Sequence, residues 1–359
     1  MSVSPLANPS PRLNTSFLSA LISILIAFIF GPPAVSRLLG LTFPASPWRD
    51  TFAAFFLSIT LEALPFILLG TLLTALMEVF LSQDILPRLT ARLGVWGIPA
   101  SAIFSPLFPI CDCAVVMVVR GLLRKRLPLP HAVTYMLAAP ILNPAVFLST
   151  WLAFQDYRYA VFRTLGGLAV SITMGLILTR VDPRKALRPE FLATLQPDGP
   201  LVPLPVTISE AATVPCGDCD HEHHHTGSNL VIGIASHLSK DFLEMMPFFL
   251  MGVFMASLFK TLLGAKMLTQ LGTDPLIGPL VMMAAAFVLS ICSEADAFTA
   301  AGFSEFNFIS HQAFLVLGPM LDIKLVLMYR SIFRGWFVVL LSLGICLSVG
   351  AYVVLLGIW

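Results

Sequence analysis

The sequence predicts an all-α polytopic membrane protein with two internal repeats and about seven to nine spans, and three observations predict it. Hydrophobic residues make up 57% of the 359 residues and charged residues only 11%, with a mean hydropathy of +0.88. A soluble domain carries roughly 25% charged residues, so this chain must take lipid as most of its solvent. Apolar runs long enough to span lie at about 16–36, 52–81, 132–154, 160–179, 229–259, 312–329 and 335–358. Finally, three motifs return in the same order at nearly one offset. Glu62-x-x-Pro65-Phe66-x-x-x-Gly70 recurs as Glu244-x-x-Pro247-Phe248-x-x-x-Gly252. Ile110-Cys111-Asp112 recurs as Ile291-Cys292-Ser293, and Pro140-Ile-Leu-Asn143 as Pro319-Met-Leu-Asp322.

These features divide the chain into four parts. Residues 1–50 hold an N-terminal segment with the first span, and 51–180 the first membrane repeat. Residues 181–228 read as a cytoplasmic linker, largely disordered without a ligand, because seven prolines fall between Pro183 and Pro215 and no apolar periodicity is present. Residues 229–359 hold the second repeat. Met1–Thr15 is Pro/Ser-rich with one Arg and lacks the pattern of a signal peptide.

Two further apolar runs, at about 95–123 and 275–303, are interrupted. The first contains Pro99, Pro106 and Pro109 before Cys111-Asp112-Cys113; the second contains Cys292-Ser-Glu294-Ala-Asp296. Proline removes a backbone donor, and polar groups at membrane depth must be satisfied within the protein, so each run predicts a broken helix or a re-entrant hairpin. Arg88, Arg92 and the four basic residues of Arg120–Arg126 flank the Cys-Asp-Cys run, and Arg180, Arg184, Lys185 and Arg188 open the linker. The loop Gly302–Ser310 has no basic residue. The positive-inside rule then makes the first hairpin cytoplasmic and the second external, which inverts the repeats; Lys260 and Lys266 fit this less well, and parallel repeats of nine spans are the alternative.

The chemistry concentrates where the runs break. Cys111 and Cys113 offer two soft sulfurs to one ion, and Asp112 between them is a carboxylate at membrane depth, which is costly and points to function. Cys292, Glu294 and Asp296 hold the matching place in the second repeat, so pseudo-symmetry would join the two clusters at the repeat interface. Against this, a buried cysteine is most often a small hydrophobe, as Cys346 is read here. Glu62 and Glu244 are candidates to titrate during transport or to serve as structural carboxylates. Asn143 and Asp322 are candidates to coordinate an ion or to cap a half-helix. Lys324 is placed to neutralise Asp322. Met117, Met282, Met283 and Met320 read as space-filling residues before thioether ligands.

The linker contains Cys216-Gly-Asp-Cys219-Asp-His221-Glu-His223-His224-His225, a metal-binding composition suited to a collector or sensor. A thioredoxin-like reading of its Cys-x-x-Cys needs a βαβ context that the sequence lacks. There is no phosphate loop and no phosphorylated-pump signature, so an ion gradient is the expected energy source. The net charge of +1 argues against a nucleic-acid partner.

At Phe108-Pro-Ile-Cys-Asp-Cys113, Ala139-Pro-Ile-Leu-Asn-Pro144 and Leu317-Gly-Pro-Met-Leu-Asp-Ile-Lys324 the sequence resembles a bacterial permease family that includes the ArsP-type organoarsenical exporters, over about Phe52–Tyr352. The Cys/His-rich linker is similar to that of a copper/zinc efflux branch. The resemblance implies export of Zn(II) or Cu(I) across a bacterial inner membrane, with Cys111, Cys113 and Cys292 as metal ligands. The expectation is a non-enzymatic, proton-coupled exporter with no permanent cofactor, its partners being the metal ion and the bilayer, and a homodimer being compatible. The alternatives are an efflux permease for trivalent arsenicals and a membrane thiol–disulfide electron carrier.

Overall fold

The computed structural model describes residues 47–80, 85–107, 110–194, 242–243, 245–261 and 277–358. The expected first span at 16–36, Glu244 and the Cys216–His225 tract lie outside the described residues. Among the described residues the chain is helical, and no strand forms beyond one isolated bridge between Leu187 and Phe333.

The first repeat comprises α1 (Pro47–Phe80), a short amphipathic α2 (Ile85–Leu93), α3 (Gly97–Ile103), α4 (Asp112–Arg124), α5 (Leu129–Ala138), α6 (Pro144–Phe154) and α7 (Tyr157–Leu178). The second comprises α8 (Met245–Thr261), α9 (Ile277–Leu289), α10 (Asp296–Ala301), α11 (Phe308–Leu317), α12 (Ile323–Tyr329) and α13 (Gly335–Ile358).

Among the described residues, α1, α7 and α13 are the helices long and apolar enough to cross a bilayer. At about 1.5 Å per residue, α7 reaches the ~30 Å of a hydrocarbon core. Their outer faces are apolar: Leu61 and Leu69 of α1, Leu165 and Ile177 of α7, and Leu343, Leu347 and Leu355 of α13 are exposed. An exposed leucine surface around buried charge suits lipid rather than water. Pro65 lies inside α1 without ending it.

The runs at 132–154 and 312–329 are not single helices. α5 stops at Ala138 and α6 starts at Pro144, while α11 stops at Leu317 and α12 starts at Ile323. Pro140 and Pro319 sit in these breaks and cannot donate to a helical ladder. Each following helix is restarted by a side-chain cap. Asn143 Oδ1 accepts from Ala145 N at 3.0 Å, and Asp322 Oδ1 from Leu325 N at 2.6 Å. The runs at 95–123 and 275–303 break as expected. The first passes from α3 through a 3₁₀ turn at Ser105–Leu107 to α4; the second leaves α9 at Ser290, whose φ is +49°, and restarts at α10.

Equivalent helices pack equivalently. α3 meets α5 as α9 meets α11, α5 meets α7 as α11 meets α13, and α4 meets α5 as α10 meets α11. The repeats also exchange contacts: α4 packs on α12, α10 packs on α6, and α7 lies on α13. This reciprocity is what a two-fold relation between repeats requires. The broken helices form the interior, since every residue from Asp112 to Leu123 and all of α5 are buried. Residues 183–186 and 189–194 form short helices at the opening of the linker. This stretch docks on the second repeat, where Arg188 N donates to Ile332 O at 3.0 Å and Arg334 N to Ala186 O at 2.8 Å.

Candidate functional site

The breaks bring the polar residues of both repeats together. Cys111 precedes α4 at its N-cap position without a side-chain capping bond, and Asp112 and Cys113 open its first turn, all three buried. A carboxylate in the first helical turn gains from the helix dipole. Lys324, in the first turn of α12, reaches across the repeat interface, placing Nζ 2.9 Å from Asp112 Oδ2 and 3.2 Å from Asp322 Oδ2. Lys324 is 2% exposed and both acids 1%. Burial of three charged groups costs several kcal/mol for each ion unless they are paired, and here one ammonium serves two carboxylates. Lys324 Nζ also lies 3.4 Å from Ile291 O and 3.5 Å from Ser290 O. Asp112 Oδ1 accepts no hydrogen bond among the described residues.

A second charge crossing runs the other way. Arg163, on α7 of the first repeat, donates to Thr150 Oγ1 at 2.8 Å and to Ser293 O at 3.0 Å, and lies 3.8 Å from Asp296 Oδ2. It is 1% exposed. Each repeat therefore lends a cation to the broken segment of the other. The sequence reading did not single out Arg163, although an arginine inside an apolar run is a signal in its own right.

The two motif glycines make the close approaches possible. A Cβ on Gly70 would lie 2.8 Å from Ala114 Cβ, and one on Gly252 would lie 2.7 Å from Lys324 Cα. Each glycine lets a long helix press on the half-helix that carries the charged site.

Glu62 belongs to this region through Cys292, whose Sγ donates to Glu62 Oε1 at 2.7 Å. Glu294 accepts from Ser293 Oγ at 3.3 Å, and Cys113 Sγ lies 3.9 Å from Asp112 Oδ2. Asn143 acts as a cap, and Asp322 both caps α12 and pairs with Lys324. Cys111, Cys113, Cys292 and Cys346 are free thiols. Among the described residues, no three His, Cys, Asp or Glu side chains converge closely enough to hold a metal ion. In this conformation the candidate ligands thus stand in separate pairs.

This chain resembles several bacterial proteins, two of them over most of its length. It is 36% identical over 291 residues to "UPF0718 protein YcgR" of Bacillus subtilis, covering 80% of this chain and 90% of the relative. It is 31% identical over 306 residues to the "Putative two-component membrane permease complex subunit" of Streptococcus mutans, covering 83% and 94%. Similarity to "UPF0718 protein YraQ" of Escherichia coli is 27% over 161 residues, 44% of each chain. No solved structure matches. Residues 50–358 match the family described as "Predicted permease", a span that takes in both repeats and every charged residue of the crossing, and the chain belongs to that family of multi-pass membrane permeases.

Proposed function

We propose that this permease exports a thiophilic metal ion, Zn(II) or Cu(I), from the cytoplasm across a bacterial inner membrane, with the cargo held by Cys111, Cys113 and Cys292 between the repeats. One observation carries this reading: at the crossing of the broken helices, Asp112 is already matched by Lys324 at 2.9 Å, and the buried residues on either side of it, Cys111 and Cys113, are free thiols. Next to this neutralised carboxylate, sulfur is the donor open to an incoming ion, and sulfur selects soft metals. Rocking of one repeat against the other about this crossing exposes the thiols to each side in turn. Because thiols bind metal in the deprotonated form, loading releases protons and unloading takes them up, which couples export to a proton gradient. The Cys216–His225 tract collects cytoplasmic metal in this scheme. The repeats are proposed to be inverted, with Arg124 cytoplasmic and the Gly302–Ser310 loop external. The naming of the Streptococcus mutans relative as a subunit of a two-component permease complex supports a second permease subunit as a partner, besides a second copy of this chain.

A trivalent arsenical is the second reading, favoured by the same neutralised carboxylate, since such cargo bonds to thiols without bringing a cationic charge. Uptake into everted vesicles, with Zn(II), Cu(I) and a trivalent methylarsenical offered in turn, tests both. The proposal expects Zn(II) or Cu(I) to accumulate in wild type and not in the Cys111→Ser, Cys113→Ser variant. Accumulation of the arsenical alone moves the assignment to the second reading, and no cysteine-dependent accumulation of any of the three removes both.

A further inference from the structure

The surroundings of the Lys324 ammonium are those of a bound cation. Four oxygens face it: Asp112 Oδ2 at 2.9 Å, Asp322 Oδ2 at 3.2 Å, Ile291 O at 3.4 Å and Ser290 O at 3.5 Å. Two are carboxylate and two are main-chain carbonyl, the donor types that hard cations choose. The carbonyls come from the break after α9, where Ser290 takes a left-handed φ of +49°. A left-handed serine is uncommon, and it ends the helical ladder where these two carbonyls leave it. Asp112 comes from the first repeat, and Ser290, Ile291 and Asp322 come from the second. The nest is therefore assembled only where the repeats meet. All three charged side chains are at most 2% exposed, which rules out a loosely solvated ion pair.

The charge balance is uneven. One ammonium faces two carboxylates, and Asp112 Oδ1 has no hydrogen-bond partner among the described residues. A divalent ion would balance the two acids. Lys324 takes the place such an ion would need, because a covalently tethered ammonium has no dissociation to undergo and competes at high effective concentration.

We propose that Lys324 is a specificity-determining residue: a tethered cation that fills an all-oxygen, hard-cation site between the repeats and so closes the Asp112–Asp322 carboxylate pair to incoming cargo. The inference rests on the thiol-based reading for the identity of the cargo, but the oxygen nest stands independently of it. Mg(II), Mn(II) and Ca(II), abundant ions that favour carboxylate and carbonyl ligands, are excluded by an occupant that never leaves. A plain structural ion pair would predict no latent metal site at all, and this separates the two roles.

The test is Mn(II) binding to the purified full-length chain in detergent, followed by electron paramagnetic resonance, with the Cys216–His225 tract replaced by serines in every protein compared, the one called wild type included. Wild type and Lys324→Arg are expected to bind Mn(II) weakly. Lys324→Gln is expected to bind it on the order of tenfold or more tightly, and Lys324→Gln with Asp112→Asn is expected to lose that gain. Equal Mn(II) affinity in wild type and Lys324→Gln would overturn the proposal, as would a gain that survives loss of Asp112. Lys324→Gln is purified with and without saturating Mn(II), since the ion should replace the missing ammonium and raise the unfolding temperature of this variant but not of wild type. Failure of both Lys324→Gln and Lys324→Ala to yield folded protein even in Mn(II) counts against it. Zn(II) and Cu(I) binding by wild type is measured in parallel. If it is absent, the thiol-based reading fails, while a gain of Mn(II) in Lys324→Gln still upholds the oxygen nest.

Discussion

Lys324 of the second repeat lies 2.9 Å from Asp112 of the first, and both are buried at the junction of two broken helices. The contact joins the two halves of the chain at the point where each half interrupts its own backbone. It is answered by Arg163 of the first repeat, which reaches Ser293 and Asp296 of the second. Two charge crossings in opposite directions fasten the repeats together and neutralise acids that the bilayer would otherwise penalise.

Removing one member of the first crossing leaves a buried charge without its partner. Lys324→Met is expected to lower stability by about 3–5 kcal/mol. Lys324→Met combined with Asp112→Asn should recover part of that loss. Unfolding of the single and double variants in detergent, analysed as a double-mutant cycle, measures the coupling directly. Additive losses would show that the 2.9 Å contact contributes nothing specific.

Arg163 holds Thr150 Oγ1 and Ser293 O with two different nitrogens of one planar group. Lysine has the charge but not the fork. Arg163→Lys is therefore expected to retain only part of the stability that Arg163→Ala loses, about 3–5 kcal/mol for the latter. Thermal unfolding of the two variants beside wild type checks the order.

The two helix caps should differ in their response. Asn143→Ala removes one hydrogen bond to Ala145 N and should cost about 1 kcal/mol. Asp322→Ala removes the equivalent cap and also one of the two carboxylates facing Lys324, so its cost should be larger. Equal losses would mean that the Lys324 contact to Asp322 is not felt.

Gly70 and Gly252 occupy equivalent positions in the repeats, and both sit where a Cβ would meet a neighbouring half-helix within 3 Å. Gly252→Val, pressed on the backbone of Lys324, should cost about 1–3 kcal/mol or abolish expression. Gly344, which would meet only the flexible end of Met174, should accept alanine more readily. Expression and monodispersity of the two variants give the comparison.

Much of this architecture was legible in the residues. The recurrence of Pro140–Asn143 as Pro319–Asp322 marked a repeated break, because proline and a capping side chain act through local backbone chemistry. Cys111-Asp112-Cys113 marked a buried acid, because few carboxylates enter an apolar run without a task. What could not be read was pairing. Lys324 stands two residues from Asp322, and its link with Asp112, more than two hundred residues away, depends on how α4 and α12 cross. Arg163 escaped for the same reason: its partners lie apart in the chain, Thr150 on α6 and Ser293 in the break before α10. The runs at 132–154 and 312–329 looked like continuous spans because hydropathy counts apolar residues and ignores a missing backbone donor.

The account turns on sulfur at the repeat crossing, and X-ray absorption of the Zn(II)- or Cu(I)-loaded full chain tests that most directly. With Cys216 and Cys219 replaced by serine, the account expects a sulfur shell at about 2.3 Å for zinc, lost on replacing Cys111 and Cys113. A shell of only nitrogen and oxygen, or a sulfur shell that disappears with the linker cysteines alone, would contradict it.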